Sequence, residues 1–323
     1  MKKTKALVLL SGGLDSTLAA KILMEQGIGV VGLSFKSYFF DSKSAAIAAE
    51  KLGIPLKIVD FSSEHLKIVK SPKYGHGKAI NPCIDCHALM LKKAKEIAGI
   101  NIKEASFGKL RTTKSRYNFV ATGEVLGERP MSQNKKSLDI IENESGLNGY
   151  LLRPLSAKSL KPTIPEQKGL IDRNKLLNIV GRSRKIQMEL AEKWGIKNYP
   201  TPAGGCILTD IGFGKKIKDV LNNCPNPKEN DFRLLKIGRH FWSAKNKIII
   251  GRNHEENVKL KKLARKNDVL IEPKNFSGAS GLIRNYGRKK ISQEVLTKAK
   301  KLITKYSKKI RGQKKPEFKI AKK

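Results

Sequence analysis

Residues 6–10, ALVLL, form an unbroken apolar run that stops at Ser11-Gly12-Gly13, after which a helical pattern occupies 17–24. Two more apolar, β-rich runs follow, VVGLSF at 30–35 and LKIVD at 56–60, with a helical stretch at 42–52 between them. Strand, helix, strand, helix, strand at this spacing restricts the chain to a parallel sheet, since parallel neighbours need a crossover and a helix supplies it. Runs that are apolar throughout, rather than alternating, suit strands covered on both sides. The expected fold class is therefore α/β, a parallel sheet with helices on both faces. Further helices are expected at 89–98 and 182–194, and further strand ends at 104–108 and 119–123.

The pattern changes at Asn222-Asn223-Cys224-Pro225-Asn226-Pro227, where two prolines and three asparagines mark a linker. Short strand candidates at 232–237, 247–251 and 269–272 and a helix at 255–264 predict a small α+β C-terminal domain. A helix at 292–306 leads into a lysine-rich tail, read as a solvated segment that orders on binding. The expected domains are 1–221, 228–290, and a basic helix and tail at 291–323, without internal repeats. Sixty-six Lys and Arg against 28 Asp and Glu leave a net charge of +38, which calls for a polyanionic partner, most simply nucleic acid. A hydrophobic fraction of 39% excludes wholesale disorder, and 4 cysteines in 323 residues are too few for a disulfide scaffold. No run approaches the ~18 apolar residues of a membrane span, and the stretch after the basic start is too short for a signal peptide. A soluble, cytoplasmic protein with no membrane partner is expected.

The segment Leu10-Ser11-Gly12-Gly13-Leu14-Asp15-Ser16-Thr17 joins the first strand to its helix, where backbone N–H groups point at an anion. Gly12 and Gly13 let phosphate oxygens approach the main chain, and Ser11, Ser16 and Thr17 add hydroxyl donors. Asp15 suits Mg²⁺ or the orientation of the loop rather than phosphate itself. No Gly-Lys-Ser/Thr ending follows, and the spaced glycines of dinucleotide folds are absent. The plainer alternative is a tight turn between strand and helix. Ser34, Phe35, Thr122 and Gly123, at the ends of later strands, are candidates for the adenosine part of a nucleotide. Arg153 is a candidate to face nucleotide or RNA.

Cys83 and Cys86, in Asn81-Pro82-Cys83-Ile84-Asp85-Cys86-His87, stand three residues apart just ahead of the helix expected at 89–98. A helix N-terminus and nearby lysines favour thiolate there. Cys206 follows the small-residue string Pro202-Ala203-Gly204-Gly205, while Cys224 falls in the linker and reads as incidental. Several chemistries share this pattern: a haem attachment string, a redox dithiol, a zinc site completed by His87 or Cys224, and a persulfide relay. An iron–sulfur cluster on Cys83, Cys86 and Cys206 would leave one iron without a protein ligand. Buried structural cysteines remain the bland reading.

SGGLDST resembles the pyrophosphatase loop (PP-loop) of enzymes that cleave ATP between the α and β phosphates. NPCIDCH resembles the first-cysteine motif of tRNA 2-thiouridylases, with Cys86 at the position of a catalytic thiol. ATGEVLGERPMSQ with LLRPLS is similar to the adenine-nucleotide-hydrolase-like domain of 4-thiouridine synthases, and PAGGCILTD supplies the second cysteine. Over residues 1–215 the chain thus resembles a tRNA thiouridine synthase of the PP-loop superfamily, which implies a HUP-like fold. From 248 to 285, IIIGRNHEENVKL and LIEPKNFSGASGLIRN resemble the RNA-binding module NFACT-R, with Arg284 at its strand-end arginine.

The resemblance implies that ATP, with Mg²⁺, adenylates a uracil carbonyl oxygen of tRNA, that sulfur attacks that carbon, and that AMP leaves. Cys86, Cys206 and Cys83 would deliver the sulfur, with Asp15 serving the ATP site. Relatives carrying CxxC and a distant cysteine often hold a [4Fe-4S] cluster, which favours that reading over the plain persulfide relay. No THUMP-like domain precedes the loop and no rhodanese-like domain follows, so the 2 or 4 position and the sulfur donor (a cysteine desulfurase or sulfide) stay open. An ATP-dependent amide or amine ligase and a non-catalytic RNA-binding protein are the alternatives. For RNA, Arg252, Lys259, Lys262, Arg265, Lys274 and Arg284 are candidate phosphate contacts. Phe241, Trp242, Phe276 and Tyr286 are candidates for base stacking or for the core.

Overall fold

The computed structural model describes residues 4–100, 116–197, 199, 206–287, 290–307 and 316–323. The chain divides into two units, Met1–Thr209 and Asp210–Lys323. The second begins upstream of the expected linker, because 222–227 joins two helices inside it.

The first unit runs β1 (Lys5–Leu9), α1 (Leu14–Glu25), β2 (Gly29–Lys36), α2 (Lys43–Leu52), β3 (Leu56–Asp60), α3 (Ser62–Lys70) and α4 (Cys83–Ala98). It continues with β4 (Phe119–Ala121), α5 (Lys135–Ser145), β5 (Leu151–Leu152), α6 (Ile164–Gln167) and α7 (Lys185–Lys193). The five strands are all parallel in the order β3-β2-β1-β4-β5. Ala6 and Val8 of β1 join one core with Leu18 and Leu23 of α1, while Leu7 joins another with Leu91 of α4 and Ile141 of α5. That alternation places helices on both faces. β1 is buried almost throughout, whereas edge strand β3 leaves Ile58 half exposed. The expected strand end at 104–108 lies outside the described residues.

In this order the strands reverse direction of addition between β1 and β4, which opens a crevice at their carboxyl ends, the usual ligand position in open α/β sheets. SGGLDST leaves β1 there and Thr122-Gly123-Glu124 leaves β4.

The second unit runs α8 (Ile211–Asn223), α9 (Glu229–Leu235), β6 (Arg239–Ser243), β7 (Asn246–Ile250), α10 (His254–Leu263), β8 (Val269–Pro273), β9 (Gly281–Asn285), α11 (Gln293–Tyr306) and β10 (Phe318–Lys322). Its antiparallel sheet has the order β10-β8-β9-β7-β6. Two expectations are corrected here. The apolar run expected as a strand at 232–237 is mostly α9, because Asp231 caps that helix through the Lys228 amide (2.9 Å). The end of the basic tail is strand β10, which pairs with β8 in register Ile320 to Ile271. Lysines on an edge strand are a normal guard against further pairing, so FKIAK hides a strand. Residues 308–315 of the tail lie outside the described residues.

Arg284 is also corrected. It is 0% exposed and donates to Asp268 (2.7 Å), Asp231 (3.0 Å), Asn230 (2.7 Å) and the Leu263 carbonyl (2.9 Å). Tyr286 and Arg265 also donate to Asp231. The arginine ties β9 to α9 and the β8 start, and its guanidinium has no face left for RNA phosphate.

In the first unit His65 is 0% exposed and lies flat on Phe61, centroids 4.8 Å apart, with neither ring nitrogen hydrogen-bonded. Burial lowers its pKa from 6.5 to about 4. The unfolded chain therefore binds a proton that the folded chain refuses between those values, so stability is full above pH 6.5 and falls as pH falls toward 4. This histidine contributes a slope of about 1.4 kcal/mol per pH unit there. His65→Phe is expected to remove that slope and to raise the denaturant midpoint of the first unit more at pH 5 than at pH 7. Midpoints of mutant and wild type that fall in parallel with pH would contradict the assignment.

Candidate active site

The phosphate loop is built from its own hydroxyls. Ser11 and Ser16 hydroxyls bond each other (3.1 Å), the Gly13 amide donates to Ser11 Oγ (3.3 Å), and Ser16 and Thr17 hydroxyls donate to the Gly13 carbonyl (3.0 and 2.9 Å). Gly13 is the N-cap of α1 and offers no side-chain cap, so the first-turn amides of that helix are left to an anion. Gly12 adopts φ +81°, and a Cβ there would stand 2.6 Å from the Ala45 amide nitrogen of α2. A Cβ on Gly123 would stand 2.5 Å from the Asp15 carbonyl carbon. Both glycines are steric necessities: they let α2 and the end of β4 close on the loop. A cavity of about 660 Å³ borders the loop, lined in part by Gly12, Thr17, Ser44, Lys21 and Lys51.

Asp15 accepts from Arg184, the N-cap residue of α7, at 3.3 Å to each carboxylate oxygen. Burial raises the Asp15 carboxyl above its ordinary value, opposed by Arg184 and then Arg129. Burial and the nearby Asp15 likewise raise Glu128, whose Oε2 is buried without a hydrogen-bond partner. Two carboxylates beside a phosphate loop, one with an orphaned oxygen, fit a Mg²⁺ that takes its remaining ligands from phosphates and water.

The cysteine pair does not precede its helix, as expected, but forms the first turn of it. α4 begins at Cys83, six residues before the expected start at 89. Asn81 Nδ2 donates to Cys83 Sγ (3.1 Å), and Asp85 accepts from the Lys73 and Tyr74 amides, pinning the preceding loop. Cys206 opens a 3₁₀ turn, Ile207–Thr209, in which the Leu208 carbonyl accepts from the Ile80 amide (3.3 Å). That bond brings the distant cysteine to the CxxC pair. Burial pushes the Cys86 thiol well above its ordinary pKa, and negative charge on Cys206, Cys83 and Asp85 adds to the rise. The expected preference for thiolate is thus overturned at Cys86: burial outweighs the helix N-terminus. Residues 200–205, including the Pro-Ala-Gly-Gly string, lie outside the described residues. Among the described residues no group of three or more His, Cys, Asp or Glu is arranged to hold a metal ion. Cys224 is buried in the second unit as the C-cap residue of α8.

Glu124 couples the two halves of the site. It accepts from His87 Nδ1 (2.8 Å), Thr122 Oγ1 (3.0 Å) and Arg153 Nε (3.0 Å). Against the cost of burial, Arg153 and the His87 bond hold its carboxyl down at about 2. One residue away, Gly123 packs on Asp15 and Ser16. The cysteine helix is therefore joined to the phosphate loop through His87, Glu124 and Gly123. His87 is engaged here rather than with the thiols.

Several expected site residues have other roles. Arg153 is 4% exposed and spends its guanidinium on Glu124, Glu142 (2.9 Å) and the Leu138 carbonyl (3.3 Å), facing neither nucleotide nor RNA. Ser34 and Phe35 are buried, the Phe35 ring 5.2 Å from Phe61, so only their main chain can meet a ligand. Thr122 is buried and orients Glu124. Glu124, Glu128, Arg129 and Arg184 were not anticipated. The first three stand in ATGEVLGERPMSQ directly after a strand end, a signal that was available; Arg184, 169 residues from Asp15, carried none.

The family model described as "tRNA methyl transferase HUP domain" matches residues 4–165, and that described as "NFACT protein RNA binding domain" matches residues 238–323. The tRNA-specific 2-thiouridylase MnmA of Paracidovorax citrulli is 26% identical over 255 residues, covering 74% of this chain and 61% of that protein. The enzyme of the same name from Helicobacter acinonychis is 39% identical over 95 residues, covering 27% of this chain and 28% of that protein. The chain thus spans less than two thirds of the length of these relatives. A solved 4-thiouridine synthetase–RNA complex with bound ATP superposes with a TM-score of 0.41 at 19% identity, over 72% of this chain and 52% of that one. Among the described residues no helix is long and apolar enough to cross a membrane.

Proposed function

Because the chain belongs to the tRNA methyl transferase HUP domain family, we propose that it is an ATP-dependent tRNA uridine sulfurtransferase. The observation that carries this reading is the joining of three cysteines to a PP-loop through the His87–Glu124 bond and Gly123. The relatives named as thiouridylases support the same chemistry.

The loop amides and α1 hold the ATP phosphates, and Arg184 leaves Asp15 to meet the negative charge that grows on the departing pyrophosphate. Asp15 and Glu128 would hold Mg²⁺, which supplies charge neutralisation on the phosphates when bound. A uracil carbonyl oxygen of tRNA attacks the α phosphorus as the bond to pyrophosphate breaks. The terminal sulfur of a persulfide on Cys86, loaded by a desulfurase-type donor, then attacks the adenylated carbon, and AMP leaves with the oxygen. Cys206 thiolate attacks the Cys86 sulfur, forming a Cys86–Cys206 disulfide and releasing the thiolated base. A thiol reductant restores both cysteines. The second unit, with its match to an RNA-binding domain, supplies tRNA affinity.

The test is pyrophosphate release with and without tRNA. Stimulation by tRNA, with AMP in equal amount, supports the reading. Release that ignores tRNA and responds to ammonia favours a ligase, and no release above background reduces the chain to an RNA-binding protein.

A further inference from the structure

The hairpin of β6 and β7 carries polar atoms that the fold leaves unused. Trp242 and Lys247 are paired across it, and their side chains share the sheet face on which Leu234 of α9 and Leu260 and Leu263 of α10 pack. Lys247 is only 1% exposed, and its ammonium lies 4.6 Å from the centre of the Trp242 ring. Its Nζ, the Trp242 indole Nε1 and the Asn246 Oδ1 are all buried without a hydrogen-bond partner. The two ring nitrogens of His240 on β6 also lack a partner, and five such atoms on two adjoining strands are unusual, since buried polar groups are nearly always paired. A cation without a paired carboxylate is more unusual still.

The charges around Lys247 are Asp219 and Lys216 of α8 and Asp231 of α9, and among the described residues none forms an ion pair with it. Asp231 is already taken by Arg284, Arg265 and Tyr286. His240, on the same face, stays neutral: burial first, then Lys247 and Lys216, hold its pKa at about 3. The local field is therefore positive, and the orphaned groups are mainly donors. Trp242 and His240 are themselves partly exposed on β6, an edge strand, so the donors lie one side chain below the surface.

We infer that Lys247 Nζ and Trp242 Nε1 form an anion site that takes a phosphate group, reached when the Trp242 side chain swings aside. The phosphate belongs either to an RNA backbone or to a small phosphate ligand; the donor set serves both. Tyr286, whose ring centre lies 5.8 Å from that of Trp242, backs the indole and sets how far it travels. The site stands whether or not the first unit thiolates uridine, since it uses residues of the second unit alone.

Lys247→Met in the full chain keeps the length of the side chain and removes the charge. It is expected to weaken binding of a tRNA probe roughly tenfold, the scale of one charged hydrogen bond. It is also expected to leave the melting temperature unchanged or higher, since an unpaired buried charge is lost. Inorganic phosphate is expected to raise the melting temperature of the wild type and not of this variant. Trp242→Phe, which keeps the ring and removes the indole donor, is expected to lose part of both effects. Phosphate protection with unchanged tRNA binding supports the site and assigns it to small phosphate ligands, whereas loss of both assigns it to RNA. Unchanged tRNA affinity together with equal phosphate response in wild type and Lys247→Met would overturn the site. A tRNA defect seen only alongside a lowered melting temperature, with Trp242→Phe binding normally, would overturn it as well.

Discussion

Cys86→Ser is expected to lower thiolation by at least about a thousandfold while tRNA-stimulated pyrophosphate release survives within a few fold. The size follows from removing a nucleophile that no neighbour replaces, the largest class of effect that single substitutions have on catalysis. The survival follows from placement. Cys86 stands in the first turn of α4, and its link to the phosphate loop runs through the backbone and His87, not through the thiol. Serine keeps that turn intact, so ATP cleavage and sulfur delivery separate. Cys206→Ser should behave differently. Without the resolving thiol the base stays attached through sulfur to Cys86, and a tRNA–protein adduct that collapses with reductant accumulates on a non-reducing gel. If both variants thiolate at the wild-type rate, the cysteines are structural. Because burial holds the Cys86 thiol protonated well above the ordinary range, sulfur loading should also keep climbing with pH past the point where an ordinary thiol levels off.

Gly123→Ala is expected to lower ATP cleavage about a hundredfold, the cost of a displacement near 1 Å at reacting groups. Its Cβ would stand 2.5 Å from the Asp15 carbonyl carbon, and what it meets is backbone, which cannot swing away. The first turn of α1 must retreat, carrying Asp15 off Arg184 and the amides off the phosphates. Gly27→Ala is the control. Gly27 has φ +74° but nothing within 4 Å of its Cβ, so alanine costs about 1 kcal/mol of backbone strain without touching the site. Pyrophosphate assays and melting curves on the two variants separate the effects. Equal activity losses in both would show that Gly123 matters only for folding.

Much of the first sheet could be read ahead of the structure because its strands are continuous apolar runs punctuated by glycine. β3 coincides with its apolar run at Leu56–Asp60, and α1 starts at Leu14, just ahead of its helical pattern at 17–24. The start of α4 is not legible in the sequence because Cys-Ile-Asp-Cys-His has no apolar stripe before Leu89. FRLLKI is an apolar run too short for periodicity to tell helix from strand, and the Asp231 cap decided it. Charged residues were the hardest to place. Arg284 and Arg153 look like surface cations in the sequence, yet both are buried by carboxylates from other elements, Asp231 lying 53 residues from the first and Glu124 29 from the second. The loop glycines and the cysteines were legible because their chemistry is tied to short strings. Their joining through Glu124 was not, since it depends on β4 ending beside both α1 and α4.

The proposed reaction places sulfur on a uridine of tRNA at the expense of ATP. Purified protein incubated with unmodified tRNA, ATP, Mg²⁺ and a persulfide donor, followed by nucleoside mass spectrometry, tests it most directly. Thiouridine that requires ATP and Cys86 and accumulates in step with AMP is the expected result. Thiouridine absent from a reaction in which tRNA binds and ATP is cleaved would contradict it.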